Sequence, residues 1–165
     1  MAYVIFDLDG TVIDSSHRHA TLPDGSLDLA HWFENNVPEK IMKDSLLPLA
    51  NTMRKMYDAG HHIIVCTARS IETLDVKAAH DEFFTVNNLP YHAFLNREPG
   101  NMEGDASLKV RLLTEYFRQF GHNSIADARP IMFDDNLKVI DTLLAHGVRM
   151  YDAAAVNRNL RKIAA

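Results

Sequence analysis

The chain has 165 residues, of which 47% are apolar and 24% are charged, and its formal net charge is −5. This length predicts a single domain spanning residues 1–165, and the balance of apolar and charged residues excludes disorder as the main state. A modestly acidic chain also lacks the broad basic face needed to coat duplex nucleic acid, although a few well-placed cations can still recognise a phosphate group.

The single cysteine, Cys66, excludes an internal disulfide and a zinc site built from several thiolates. No apolar run approaches the ~18 residues that span a bilayer. The short apolar run at the N-terminus ends in acidic residues, unlike a signal peptide. We therefore expect a cytoplasmic protein with no membrane partner.

Five short apolar segments rich in β-favouring residues are predicted to form strands. They lie at residues 3–8, 61–67, 91–96, 130–133 and 148–151. The apolar run at residues 63–66 is unbroken, which is typical of a parallel strand buried on both faces.

Segments with helical periodicity separate these strands. Helices are expected at residues 27–35, 46–59, 70–87, 105–120 and 137–146, with a further helix at the C-terminal end. Ser70 and Asp105 are the predicted N-caps of two of these helices, and Gly60 marks the end of another. Pro48 restricts where that helix begins, because proline fits the first turn of a helix and not its interior. Alternating strands and helices predict an α/β fold, with a parallel sheet covered by helices on both faces.

Polar side chains stand where four of the predicted strands end. In chain order they are Asp7 and Asp9, Thr67 and Arg69, Arg97, and Asp134 and Asp135. Because ligands bind at the carboxyl ends of the strands in open α/β sheets, we expect these side chains to meet in one site.

The two pairs of acidic residues predict a metal site if the first and fourth predicted strands are neighbours. Crowded carboxylates raise one another's pKa, and a divalent cation relieves this repulsion. The absence of Cys and His at these strand ends favours Mg²⁺. Taken singly, each Asp also fits a turn or a helix cap, as in the Asp9-Gly10 turn.

Thr67 and Lys109 add groups that bind an anion. Thr67 ends its predicted strand just before a helix expected to begin near Ser70, and free amides at a helix N-terminus bind phosphate oxygens. Lys109 lies in the first turn of a later predicted helix, although by itself it also fits a solvated helix surface. A carboxylate, a metal ion, a hydroxyl and a lysine around one anion are typical of phosphoryl transfer, with the carboxylate as the nucleophile.

The order of these residues resembles the four motifs of the haloacid dehalogenase-like phosphohydrolases. The matching residues are Asp7-Leu8-Asp9-Gly10-Thr11, Thr67, Lys109 and Asp134-Asp135. The resemblance covers roughly residues 3–152 and implies a Rossmann-like sheet with an Mg²⁺-dependent phosphatase site.

The resemblance also implies a role for each motif residue. Asp7 attacks phosphorus and forms an aspartyl-phosphate, while Asp9 protonates the leaving oxygen and then deprotonates the attacking water. Thr67 and Lys109 hold the phosphate. The implied metal ligands are Asp7, the backbone carbonyl of Asp9, Asp134 and Asp135. Crowding by the other carboxylates is expected to raise the pKa of Asp9, as a general acid requires.

A narrower resemblance is to the 3′-phosphatase domain of phage polynucleotide kinase-phosphatases. It rests on the stretch MRKMYDAGHHIIVCTAR and on Arg69 and Arg97, which match arginines of that domain. The implied function is the removal of 3′-phosphates from nucleic acid ends. The implied substrate-binding residues are Thr67, Arg69, Arg97 and Lys109. No GxxxxGK[ST] loop is present, so the resemblance does not extend to kinase activity.

Residues 12–44 are predicted to form a small, cap-like insert that leaves the site open. An open site suits a nucleic acid end, or a second subunit that closes it. Two interpretations of His17-Arg18-His19 and Trp32 stay open. They either contact a base and a phosphate of the substrate, or they form a solvated loop in which Trp32 packs the short helix.

Two alternative functions stay open as well. The first is a small-molecule phosphatase such as a nucleotidase. The second is a phospho-accepting, receiver-like signalling module, which also places acids, a threonine and a lysine at strand ends but has no role for Asp9. The expected partners are a phosphorylated substrate, a second copy of the chain, and a separate kinase or ligase.

Overall fold

A five-stranded parallel sheet runs through the centre of the computed structural model, which describes residues 1–165. The chain forms seven strands, which are, in chain order, β1 (Tyr3–Phe6), β2 (Ile13–Asp14), β3 (Ser45–Leu46), β4 (His62–Ser70), β5 (Ala93–Arg97), β6 (Ile131–Asp134) and β7 (Arg149–Asp152). Five of them form the main sheet in the order β5-β4-β1-β6-β7, and every neighbouring pair is parallel. β2 and β3 form a separate antiparallel pair.

Helices cover both faces of this sheet, which confirms the predicted α/β fold. They are α1 (Leu29–Asn35), α2 (Pro38–Ile41), α3 (Leu49–Asp58), α4 (Leu74–Val86), α5 (Asp105–Gln119), α6 (Leu137–Ala145) and α7 (Ala153–Ala164). None of them combines the length and the apolar character that crossing a membrane would require.

The two faces are covered because side chains alternate along each strand. On β1, Val4 and Phe6 pack with α3, α4 and α7, whereas Ile5 packs on the opposite face with α5 and α6. The two cores contain 18 and 14 buried residues, so neither face of the sheet is left to solvent. The apolar run at residues 63–66 in β4 contributes to both cores, as predicted.

The predicted start of α4 at Ser70 is wrong. Ser70 is the last residue of β4, where it pairs with Arg97 of β5. The side chain of Thr73 caps the helix instead and accepts a hydrogen bond from the backbone N of Val76 at 3.2 Å. Pairing with β5 therefore carries β4 beyond Thr67, and this extension has no signal in the local sequence.

The predicted N-cap of α5 also differs from the structure. Asp105 is the first residue of α5 and Gly104 is its N-cap, and the Asp105 carboxylate accepts a hydrogen bond from Arg97 without capping the helix. Helix α3 begins at Leu49, directly after Pro48, in agreement with the restriction that Pro48 places on its start. Proline fits the beginning of a helix but not its interior.

The insert at residues 12–44 lies along the carboxyl edge of the sheet, where it lines the same cavity as the strand ends. Its helix α1, which was predicted, is capped by Asp28, whose side chain accepts from the backbone N of His31 at 3.0 Å. Asn36 Nδ2 donates to the backbone oxygen of Ser70 at 3.1 Å. The insert is thereby tied to the end of β4.

Asn157 of α7 anchors the loop that follows β1. Its Nδ2 donates to the backbone oxygen of Thr11, and its Oδ1 accepts from the backbone N of Leu49, each at 2.9 Å. Asn157 is buried, so both bonds are shielded from water. The C-terminal helix thus fixes the loop that carries the first motif.

Gly147, which follows α6, has a φ of +81°, and a Cβ there would lie 2.6 Å from the Cβ of Ala126. Gly60 has a φ of +80° but faces open space. Gly147→Ala is expected to lower the free energy of unfolding by about 2–4 kcal/mol, because steric overlap adds to left-handed backbone strain. Gly60→Ala introduces the left-handed backbone strain without a steric overlap, so its loss of stability should be smaller. Urea denaturation measures the free energy of unfolding of both variants, and equal losses would contradict the predicted overlap with Ala126.

Candidate active site

Three carboxylates converge at the carboxyl edge of the sheet. Asp7 follows β1 directly, Asp134 ends β6 and Asp135 comes next. One oxygen from each of the three lies within 4.8 Å of the others. They meet because β1 pairs with β6, and the backbone N of Asp7 donates to the oxygen of Phe133 at 3.0 Å. The structure therefore confirms that the two strands that carry the acid pairs, β1 and β6, are neighbours in the sheet.

Lys109 lies between two of these acids. Its Nζ donates to Asp7 Oδ1 at 2.8 Å and to Asp134 Oδ2 at 2.7 Å. The other oxygen of Asp134 accepts from the backbone N of Asn136 at 3.0 Å. Lys109 is only 2% exposed, so its interpretation as a solvated surface residue is wrong.

The electrostatics of this cluster fit a divalent cation. Burial raises the pKa of Asp7 well above its ordinary value, because the attraction of Lys109 does not offset it and Asp134 adds repulsion. Partial burial beside Asp134 raises the pKa of the Asp135 carboxyl to about 6, although the residue lies at the exposed rim. Burial opposes the charge of Lys109, but the two bound carboxylates raise its pKa above the ordinary value. One cation against three carboxylates leaves an oxygen-rich donor set with surplus negative charge, which suits Mg²⁺.

The turn after β1 requires a glycine. Gly10 has a φ of +74°, and a Cβ at this position would lie 2.1 Å from Oδ2 of Asp135. The backbone N of Gly10 donates to the oxygen of Ile13 at 2.9 Å, which closes the turn. Close approach of Asp135 therefore explains why glycine follows the first acid pair.

Thr67 is buried in β4 and lines the cavity, as predicted. Its Oγ1 accepts from the backbone N of Arg69 at 3.1 Å. The predicted helix N-terminus beside it is wrong, because α4 begins only at Leu74 and does not reach the cavity. Residues 67–70 line the cavity at this point instead.

Asp9 is bound by Arg69. Nε and Nη2 of Arg69 donate to Oδ2 and Oδ1 of Asp9 at 2.8 and 2.7 Å, and Ser15 Oγ donates to Oδ1 as well. Burial acts to raise the pKa of Asp9, but Arg69 and Ser15 outweigh it and hold this pKa well below its ordinary value. The predicted rise in the pKa of Asp9 is therefore wrong, because a guanidinium binds both of its oxygens. Its backbone carbonyl as a metal ligand stays a prediction.

A second buried ion-pair group joins the insert to Arg69. Nε and Nη2 of Arg18 donate to Oδ1 and Oδ2 of Asp44, both at 2.9 Å, and Nη2 of Arg69 donates to Oδ2 of Asp44 at 3.1 Å. The guanidinium carbon of Arg18 lies 4.4 Å from the centre of the Trp32 ring. Arg18 is 1% exposed, so the solvated-loop interpretation is wrong for this residue.

Three residues of this network escaped prediction, namely Ser15, Asp44 and His80. Nη1 of Arg69 donates to Nε2 of His80 at 3.0 Å, and the other ring nitrogen donates to the backbone oxygen of Val76 at 2.8 Å. Burial and the charge of Arg69 lower the pKa of His80 to about 4, so the ring is neutral at pH 7. No sequence spacing links these three residues to Asp9.

Arg97 lines the cavity, but each of its three side-chain nitrogens donates within the chain. Nε donates to the backbone oxygen of Ala68 at 3.0 Å, and Nη2 donates to Asp105 at 2.7 Å. Nη1 donates to the backbone oxygen of Asn101 at 3.2 Å. In this structure Arg97 holds the loop before α5, and its contact with a substrate stays a prediction.

The strand ends and the insert line one cavity of about 670 Å³, a volume typical of small-molecule sites. The polar residues of its lining include Asp7, Thr67 and Lys109. The insert contributes the apolar side chains of Leu27, Leu29, Trp32 and Phe33. This lining suits a ligand that combines an anionic group with a flat apolar group.

Comparison with known sequences identifies relatives of the chain. The profile of a protein family described as Bacteriophage T5 5′-deoxynucleotidase matches residues 1–78. The chain is also 30% identical to the 5′-deoxynucleotidase of Escherichia phage T5 over an alignment of 182 residues, which covers 93% of this chain and 68% of that protein.

Comparison with solved structures identifies the same fold in other proteins. A chain of the Pnkp1/Rnl/Hen1 RNA repair complex superposes with a TM-score of 0.61 at 18% identity, over 91% of this chain and 41% of that chain. The present chain thus spans less than half of that neighbour. A haloacid dehalogenase-like hydrolase of Streptococcus pneumoniae superposes with a TM-score of 0.61 at 12% identity, over 96% of this chain and 91% of that chain. The predicted Rossmann-like sheet of these hydrolases is confirmed.

Lys109→Met removes the charge between Asp7 and Asp134 and keeps most of the side-chain volume. In metal-free protein at neutral pH, it is expected to lower the free energy of unfolding by about 3–5 kcal/mol, because buried carboxylates lose their partner. The control is Lys77→Met, which removes an exposed lysine paired with Asp81 and is expected to change stability little. Urea denaturation measures the free energy of unfolding of both variants. A loss for Lys109→Met no larger than the loss for Lys77→Met would contradict the role of Lys109.

Proposed function

Because the chain belongs to the haloacid dehalogenase-like phosphohydrolases, in the family of the phage T5 5′-deoxynucleotidase, we propose that it removes the phosphate of deoxynucleoside 5′-monophosphates. Membership of this family makes the chain a phosphatase. The choice of substrate is carried by the 30% identity to that nucleotidase, which extends over 93% of the chain and so includes most of the insert.

The lining of the cavity supports a mononucleotide substrate. Its polar residues suit a phosphate, and the aromatic rings of Trp32 and Phe33 suit a base that stacks on them.

Asp7 is the proposed nucleophile. Lys109 occupies its Oδ1, so Oδ2 is the oxygen that bonds to phosphorus while the bond from phosphorus to the ester oxygen breaks. Thr67 and Lys109 hold the phosphate, and the Lys109 charge offsets the negative charge of its oxygens. Water then attacks the aspartyl-phosphate, which releases inorganic phosphate and regenerates Asp7.

Asp9 is the proposed acid and base of the two steps. It donates a proton to the leaving ester oxygen and later accepts one from the attacking water. Without substrate, Arg69 and Ser15 favour its ionised form. The negative charge of a bound phosphate acts against that form and moves the pKa of Asp9 upward, toward the protonated state that the first step needs.

A divalent cation, most simply Mg²⁺, is the proposed cofactor. Asp7, Asp134 and Asp135 are the side chains that would hold it, because their oxygens converge with surplus negative charge. When bound, it would neutralise charge on the phosphoryl oxygens.

Removal of 3′-phosphates from nucleic acid ends is the second candidate function. It is supported by Arg69 and Arg97, both of which line the cavity beside Thr67. A separate kinase or ligase partner, a second copy of the chain, a cytoplasmic location and the cap-like role of residues 12–44 also stay predictions. The receiver-like signalling alternative is excluded, because the chain belongs to a family of phosphatases.

The wild-type protein is expected to hydrolyse deoxynucleoside 5′-monophosphates with a kcat/KM at least about tenfold above that for a 3′-phosphorylated oligonucleotide. The reason is that a cavity of about 670 Å³ suits a small molecule, and the relative that carries the proposal is a nucleotidase. Phosphate release with Mg²⁺ present measures both activities. Asp7→Asn is the control against a contaminating phosphatase and is expected to lower turnover by about 10³-fold or more. The opposite substrate preference would favour the second candidate.

Binding of Mg²⁺ is expected to weaken as the pH falls, because the raised pKa values of Asp7 and Asp135 put protons on two metal ligands, on Asp135 below about pH 6. The apparent Kd should rise by up to about tenfold per pH unit for each such proton, and Asp135→Asn removes one of the two. Isothermal titration calorimetry between pH 5 and pH 7 measures this dependence. Asp135→Asn should bind more weakly and with a flatter pH profile, and an unchanged profile would overturn the assignment of Asp135.

A further inference from the structure

Asp44 is the most completely buried acid of the insert. It lies immediately before β3, and its side chain is 0% exposed. A carboxylate is costly to bury, so it needs partners that offset its charge. One of its partners, Arg69, connects Asp44 to Asp9, the proposed acid and base of the reaction.

Each carboxylate oxygen of Asp44 accepts two hydrogen bonds. Oδ1 accepts from Nε2 of His17 at 2.8 Å and from Nε of Arg18 at 2.9 Å. Oδ2 accepts from Nη2 of Arg18 at 2.9 Å and from Nη2 of Arg69 at 3.1 Å. Asp44 therefore fixes two guanidinium groups relative to each other.

Arg69 transmits this fixation to Asp9. Its Nη2 is shared between Asp9 and Asp44, at 2.7 and 3.1 Å, and its Nη1 is bound to His80. A planar guanidinium held on three sides cannot turn without breaking these bonds. The orientation of the Arg69 fork then sets where the Asp9 carboxylate lies at the cavity.

The charges of the network balance only when Asp44 is present. Two guanidiniums, of Arg18 and Arg69, face two carboxylates, of Asp9 and Asp44, and the Arg18 and Arg69 side chains are almost fully buried. Without Asp44, both cations would have Asp9 as their one remaining carboxylate. The attraction would displace Asp9 from its place at the cavity.

We propose that Asp44 is a positioning residue that acts through Arg69 to place Asp9 for proton transfer to the leaving group. The inference rests on the proposed function, since it requires Asp9 to protonate the ester oxygen. It makes the insert a part of the proton-transfer apparatus, because Asp44 and Arg18 both belong to residues 12–44.

Esters with different leaving groups test this role. A nucleoside leaves as an alkoxide that needs a proton, whereas p-nitrophenolate is a stable anion that leaves without one. Asp44→Asn is expected to lower kcat/KM for a deoxynucleoside 5′-monophosphate by about 10²-fold. For p-nitrophenyl phosphate the same variant should keep kcat/KM within about threefold of wild type, because general acid catalysis contributes little there. The comparison uses kcat/KM because this constant reports the formation of the aspartyl-phosphate and not its later hydrolysis, in which Asp9 acts as a base on both esters.

Leu143→Ala is the control for a structural defect. Leu143 lies on the buried side of α6, in a core that contains none of the residues of the network, so any loss of folded protein lowers both activities by the same factor. His17→Ala is a milder second variant, since it removes one hydrogen bond to Asp44 from a partly exposed position. It should lower kcat/KM for the nucleotide alone, by about threefold.

A selective loss for the nucleotide in Asp44→Asn supports the proposal, as does the smaller selective loss in His17→Ala if Asp44→Asn does not fold. Equal losses on both esters, or no loss on either, would overturn it. The nucleotidase proposal fails separately, if wild type cleaves p-nitrophenyl phosphate but not nucleotides. A 3′-phosphorylated oligonucleotide, another alkoxide leaving group, then takes the place of the nucleotide in the same comparison.

Discussion

Carboxylates buried together at one edge of the sheet repel one another, and the site is organised around the cations that offset this repulsion. Lys109 lies between Asp7 and Asp134, and Arg69 lies between Asp9 and Asp44. Both cations are buried, so little water screens them and the loss of either one is costly. Each reaches its acids only because α5 and β4 pack beside β1, and the packing of the fold therefore sets the charge distribution of the site.

The two cations divide the site into groups of different charge balance. Around Lys109, three carboxylates face one cation, and the surplus negative charge suits a metal ion. Around Arg69, the second guanidinium of Arg18 balances Asp9 and Asp44, and this group needs no further cation. The difference explains why the Asp9 side chain lies outside the carboxylate cluster although one residue separates it from Asp7. It also makes the insert an electrostatic component of the site.

Much of the fold followed from local patterns, whereas the errors arose where a distant residue intervened. All five strands of the main sheet occur where apolar β-favouring runs predicted them. The start of α4 was misplaced because β5 extends β4 to Ser70. The pKa of Asp9 was predicted to move in the wrong direction because its partner, Arg69, is 60 residues away in the chain. Asp44 was missed for the same reason, since 25 residues separate it from Arg69.

Hydrophobic periodicity and the placement of polar residues at strand ends are local properties. By themselves they determined the α/β fold, the edge of the sheet that carries the site, and the aspartates, threonine and lysine gathered there. Which cation binds which acid was decided only by the tertiary structure. Ion pairing depends on distances between residues remote in sequence, and on burial that strengthens attraction and repulsion alike. The net charge of −5 does not reveal whether Asp9 lies beside other carboxylates or beside a cation. The packing of β4 against β1 places the Asp9 carboxylate on Arg69.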